Sequence, residues 1–182
     1  MKIIVLRHAT RVRDNSVSGE YLEKHLPLDT SGEREAKKLG IELARRGIKP
    51  AVFFTSCFAH AKQTGDILRD TLGGNPPAMV VELCTLTPHY QGPREWRGEA
   101  WQGVRIPKAI IREAELTVND LRDLDVVAFI LHQPRLKQLL ASMTSREESE
   151  FGFHYSEGVC LTADSLDAFL QGNGQENEDG RF

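Results

Sequence analysis

Two histidines stand directly after the strongest apolar runs of this sequence. Arg7 and His8 follow Ile3-Ile4-Val5-Leu6, and His132 follows the run from Val126 to Leu131. A neutral imidazole can attack phosphorus, and phosphohistidine is a workable covalent intermediate. The attacking nitrogen must be unprotonated while the phosphoryl oxygens are neutralised beside it. Arg7 supplies a permanent, fork-shaped cation for that purpose. His132 adds a second donor when protonated. The competing reading is that each histidine merely ends a strand and bonds locally. An Arg-His pair at one strand end with His-Gln-Pro at another weighs against it.

Positioning those residues is the task of the elements around them. Ile3 to Leu6 is short, aliphatic and β-branched, as in a strand buried on both faces. Its carboxyl end is where open α/β sheets bind ligands. Residues Ala9 to Leu28 lack periodicity and read as a long loop. Thr30 and Glu33 match a capping box, and Ala36, Leu39, Gly40, Leu43 and Ala44 share one helical face up to Gly47 and Pro50. Val52 to Thr55 predicts a second strand, Ser56 to Leu72 a second helix, and Met79 to Val81 a third strand. The stretch from Cys84 to Gly103 holds Pro88, Gly92, Pro93, Gly98 and both tryptophans, and reads as a lid-like loop. Pro107 opens a third helix carrying Ile111, Ala114, Val118 and Leu121. Val126 to Leu131 is a strand, Arg135 to Met143 a helix, Gly158 to Thr162 a strand, and Asp164 to Leu170 a short helix. Alternating strand and helix predicts an α/β fold, a three-layer α/β/α sandwich around a largely parallel sheet. One domain is expected over 1–170, with a polar, Gly-rich and disordered tail over 171–182.

Composition narrows the function classes. At 182 residues, with 40% hydrophobic and 27% charged residues, the chain suits one soluble domain. A net charge of -3 with no long basic stretch argues against nucleic acid or an anionic membrane as partner. Any anion must therefore be held by a local site. Cys57, Cys84 and Cys160 are too few and too scattered for a disulfide framework, so reduced thiols in the cytoplasm are expected. The segment before Arg7 is too short for a signal peptide's apolar region, and no run reaches the length of a membrane helix. Among the histidines, His8, His60, His89 and His132 are the conceivable metal ligands, but no HxxxH or HExxH spacing supports a metal.

Four segments in order carry a resemblance. Leu6-Arg7-His8-Ala9 resembles the RHG/RHA signature of the histidine phosphatase superfamily, also called phosphoglycerate-mutase-like. Pro27-Leu28-Asp29-Thr30-Ser31-Gly32 followed by Ala36, then Thr55-Ser56 followed by Gln63-Thr64, then Leu131-His132-Gln133-Pro134, are similar to its later segments. Leu86-Thr87-Pro88 and the short chain resemble the SixA-type phosphohistidine phosphatase branch. The resemblance implies a phosphatase acting on a phosphomonoester or a protein phosphohistidine. His8 would be the nucleophile, Arg7 and His132 would hold phosphoryl oxygens, and neither metal nor other cofactor would be required. The partner would be a phosphorylated small molecule or a phosphohistidine-containing protein.

Two departures from the pattern matter. His60 stands where the superfamily carries a second arginine. Arginine is charged at any working pH, whereas histidine titrates near pKa ~6.5. A weaker or more acid-favouring enzyme is expected, or a non-catalytic phosphate-binding or regulatory relative. The competing reading makes His60 a surface residue on a helix. The general acid is also open. Glu82 ranks first, with Thr87, His89 and Glu95 nearby, and an exposed strand-end carboxylate is the plainer reading of Glu82. Arg11 and Arg13 either extend the anion site or are solvated loop charges. Arg94 and Arg97 lie in the tryptophan loop, where Trp96 and Trp101 cover a pocket or fill core. His25 and His154 are expected on the surface.

Overall fold

The structure, a computed structural model, describes residues 2–14, 23–74, 77–88, 98–101, 104–115, 124–144, 147–151 and 153–162. Strands β1 (Lys2–Arg7), β2 (Val52–Ser56), β3 (Met79–Leu83), β6 (Val126–Leu131) and β7 (Gly158–Thr162) form one sheet in the order β3-β2-β6-β1-β7. All neighbours are parallel except β7, which runs antiparallel to β1. The remaining strands, β4 (Gly98–Trp101) and β5 (Val104–Pro107), pair as an antiparallel hairpin. Helices are α1 (Thr30–Arg45), α2 (Ala59–Leu72), α3 (Lys108–Glu113) and α4 (Gln133–Thr144).

Side chains alternate across a strand, and here both faces are apolar. Ile4 and Leu6 of β1, with Phe53, Ala128 and Ile130, pack under Leu39 and Leu43 of α1 and Ala61 and Leu68 of α2. Ile3 and Val5, with Phe54, Phe129 and Leu131, pack under Leu136, Leu139, Leu140 and Met143 of α4. The result is the expected three-layer sandwich, with continuous aliphatic runs because both faces of the central strands are covered by helices.

The helix after β1 covers one face and the helix after β6 covers the other. The crevice between the carboxyl ends of these adjacent strands is thus a switch point, where such sheets take ligands. The register pairs Arg7 with Leu131, which sets His8 and His132 side by side.

Three expectations change in detail. The α1 cap is Asp29, not Thr30: its carboxylate accepts from the Gly32 amide at 2.7 Å. An Asp oxygen one residue earlier already satisfies the free donor, and Thr30 becomes the first helical residue. Helix α2 starts at Ala59 rather than Ser56, because Ser56 still continues β2. Part of the Cys84-to-Gly103 loop is the β4–β5 hairpin and a 3-10 turn over Cys84–Leu86. The predicted helix over Asp164 to Leu170 and the tail over 171–182 lie outside the described residues.

Gly32 shows why α1 begins where it does. A Cβ there would stand 1.9 Å from the Thr10 carbonyl oxygen. The first turn of α1 therefore presses on the loop that follows the β1 histidine, and only glycine permits that approach. Glu35 strengthens the contact, accepting from the Thr10 amide at 3.0 Å and its hydroxyl at 2.9 Å.

Candidate active site

His8 leaves β1 tied on both sides. Its amide donates to Leu131 O at 3.1 Å, and its carbonyl accepts from the Ser156 amide at 3.4 Å. The ring Nδ1 lies 2.8 Å from Ala9 O. A carbonyl only accepts, so Nδ1 carries the hydrogen and Nε2 keeps its lone pair. The next amide, Ala9, donates to Thr64 Oγ1 at 3.2 Å, and Thr64 donates to His60 O at 2.7 Å. One buried threonine of α2 thereby links the His8 turn to the His60 turn.

His60 is the second residue of α2 and is wholly buried, so the surface reading fails. Its Nδ1 donates to Leu26 O at 3.0 Å, which leaves Nε2 as a second lone pair. That Nε2 lies 3.5 Å from His132 Nδ1, while His132 Nε2 lies 2.8 Å from Ser56 Oγ. The three ring centroids are 4.3 to 5.0 Å apart. One nitrogen from each ring lies within 4.8 Å of the others. Linear spacing is the wrong test for such a group, because its members arrive from β1, α2 and β6.

Burial sets the charge state of all three. The His8 pKa falls to about 3, by desolvation first, then by repulsion from His60, Arg7 and Arg11. The His60 pKa falls to about 4, again through desolvation, with Arg11 adding to it. His132 is pulled well below the usual range by desolvation and then by the neighbouring imidazoles and arginines. At neutral pH the trio is uncharged. His60 is therefore not a ready-made substitute for a guanidinium.

Positive charge comes from two arginines. Arg7 Nη1 donates to Phe153 O at 2.8 Å, and its guanidinium carbon sits 3.9 Å over the Tyr155 ring. Tyr155 is also 5.4 Å from the His8 ring. Arg7 Nε is buried and makes no hydrogen bond among the described residues. Arg11 pairs with Glu23 at 3.5 Å and acts electrostatically on all three imidazoles. It belongs to the site's surroundings rather than to open solvent.

Glu82, the expected general acid, is engaged in an ion pair. It pairs with Lys62 Nζ at 2.9 Å on the exposed α2 side of β3. Period-two alternation puts it on that side of the sheet, and an exposed ion pair is the plainer use of its carboxylate. His89, Arg94, Glu95, Trp96 and Arg97 lie outside the described residues, as does the Trp101 side chain. Thr87 is buried and its carbonyl accepts from Arg135 Nε at 2.7 Å. Arg13 is exposed, as is His154, which supports their surface readings, and so is His25. Sequence reasoning missed the parts played by Ser56, Thr64, Tyr155 and Arg135. Ser56 and Thr64 lay inside quoted motifs, while nothing about Tyr155 or Arg135 in the linear chain announces them.

Solved structures share this fold. A SixA protein histidine phosphatase bound to tungstate superposes with a TM-score of 0.65 at 20% identity, over 89% of this chain and 88% of that one. The chain has the histidine phosphatase fold. A mycobacterial glucosyl-3-phosphoglycerate phosphatase bound to VO3 matches that fold at 0.58 and 17% identity, over 88% and 90% of the two chains. An ecdysone phosphate phosphatase from Bombix mori, bound to tungstate, matches at 0.58 and 15%, over 90% of each. No family sequence model and no curated protein sequence matches the chain. Within the histidine phosphatase fold, the β1 and β6 ends carry His8 and His132, and α2 carries His60. Among the described residues, no helix is long and apolar enough to cross a membrane.

Proposed function

We propose that the chain is a phosphatase that hydrolyses a phosphomonoester or a protein phosphohistidine through a phosphohistidine on His8. The observation that carries this reading is the His8 tautomer. Nδ1 is committed to Ala9 O, so a neutral ring directs the Nε2 lone pair away from its own backbone. The folds it resembles include phosphatases holding tungstate or VO3, oxyanions that stand in for a phosphoryl group.

In the first step, His8 Nε2 forms the N–P bond as the bond from phosphorus to the leaving group breaks. The phosphoryl oxygens are met by the Arg7 guanidinium, with Arg11 adding longer-range charge. His132 and His60 line the same space, and either ring becomes a further donor once the bound phosphoryl charge protonates it. In the second step, water attacks phosphorus, the N–P bond breaks, and neutral His8 is restored. With Glu82 held by Lys62, the leaving atom draws its proton from solvent. A protonated imidazole leaves more readily than an alcohol, which favours phosphohistidine as substrate over a simple ester.

The test is hydrolysis of p-nitrophenyl phosphate and of a phosphohistidine protein over pH 5–8. Wild-type turnover with an acid-labile, base-stable phosphoenzyme is expected, and His8→Ala removes both. Turnover that survives His8→Ala would refute the assignment. A second reading, phosphate binding with little turnover, is favoured by one observation: the buried neutral His60 in place of a cation. Saturable phosphate binding without phosphoenzyme would support it.

A further inference from the structure

We infer that His8, His60 and His132 form a three-imidazole site for a divalent transition ion of the zinc class. The inference goes beyond phosphoryl chemistry and stands whether or not the chain turns over. Three features carry it. First, the donor set is right: one nitrogen of each ring lies within 4.8 Å of the others, and all three residues are buried. Second, the distance between His60 Nε2 and His132 Nδ1 is 3.5 Å. Two ligands on tetrahedral zinc, each at ~2.0–2.1 Å, stand about 3.4 Å apart. That pair is thus spaced to grip one ion.

Third, the outer contacts are those that metal-binding histidines use. Each ring is oriented by a partner on its far nitrogen: Ala9 O for His8, Leu26 O for His60 and Ser56 Oγ for His132. The two carbonyls hold His8 and His60 in the tautomers that present Nε2. Ser56 can donate or accept, so His132 can place its hydrogen on Nε2 and free Nδ1. All three lone pairs then converge, from rings already neutral and requiring no deprotonation. Arg7 and Arg11 disfavour a bare dication, but they favour an anionic fourth ligand, such as hydroxide or phosphate, on the ion. Substituting His for the superfamily's arginine changes the site from one with a fixed cation to one that can recruit a cation. On the phosphatase reading, the ion takes the lone pair that attacks phosphorus, so metal and phosphoenzyme exclude one another.

Cobalt(II) is the probe. Titration of the whole chain is expected to saturate at one equivalent with the intense visible absorption of a four-coordinate ion, and zinc chloride should abolish it. His60→Arg and His8→Ala should each lose the band while keeping the wild-type circular dichroism. Ser56→Ala should weaken binding about 10- to 100-fold. A Cys57→Ser/Cys84→Ser double variant should bind as wild type. Nitrogen-15 spectra of the unaltered protein need no variant: zinc should shift His8 Nε2 and spare His25. No saturable band, a band that persists in His60→Arg, or one that vanishes with the two cysteines would overturn the site. Because none of these readouts uses turnover, a failed metal site and a failed phosphatase are told apart.

Discussion

At the scale of single residues, the proposed phosphatase reading makes His60 the test of how the site handles a charged substrate. A charge-assisted hydrogen bond contributes about 1.5–3 kcal/mol. Realised wholly in the transition state, that is on the order of 10- to 150-fold in rate. His60→Arg should therefore raise turnover at pH 7 within that range, measured as kcat on p-nitrophenyl phosphate. The same change buries an unpaired cation beside Arg7 and Arg11, so the free protein should melt lower. Added phosphate should recover more of that loss than it gives wild type. Unchanged turnover at every pH would show that His60 does not face the phosphoryl group. The identity of the three histidines was legible from their places after apolar runs and inside ordered motifs. Their neutrality was not, because it depends on burial and mutual repulsion, which only the folded arrangement supplies.

At the scale of elements, the site depends on how α1 and α2 are seated against the loop after β1. Gly32→Ala tests this directly. The added methyl would meet the Thr10 carbonyl at 1.9 Å, a backbone atom that cannot rotate aside. Overpacking of this kind costs about 3 kcal/mol, read as a lower urea midpoint at constant slope. A variant as stable as wild type would mean the loop yields freely. The strands and helices around this contact were readable because their apolar residues recur at the right periods. The β4–β5 hairpin was not, since glycine and proline around it signal a loop more strongly than its short strands signal pairing. The Lys62 partner of Glu82 was not legible for another reason. Proximity in sequence to a strand end says nothing about which sheet face the side chain joins, and Lys62 comes from a helix twenty residues earlier.

At the scale of the whole molecule, the buried imidazoles tie stability to pH. His8 and His60 titrate near 3 and 4 when folded, against about 6.5 when the chain is open. The unfolded state thus binds more protons over that window, and stability rises with pH there. The contribution is complete above about 6.5 and is lost as pH falls toward 4 and then 3. Melting temperature should begin to drop just below pH 6.5, above the carboxylate range, so the onset belongs to histidine. A melting temperature flat from pH 7 to 5 would contradict the buried neutral rings. The position of the two strands that end in His8 and His132 has a broader effect. β1 lies between β6 and β7, and β6 lies between β2 and β1, so neither is an edge. Backbone so placed opens only when the entire sheet separates. The backbone carrying His8 and His132 is consequently held until the sheet itself opens, while the His60 ring follows α2 and the Leu26 carbonyl.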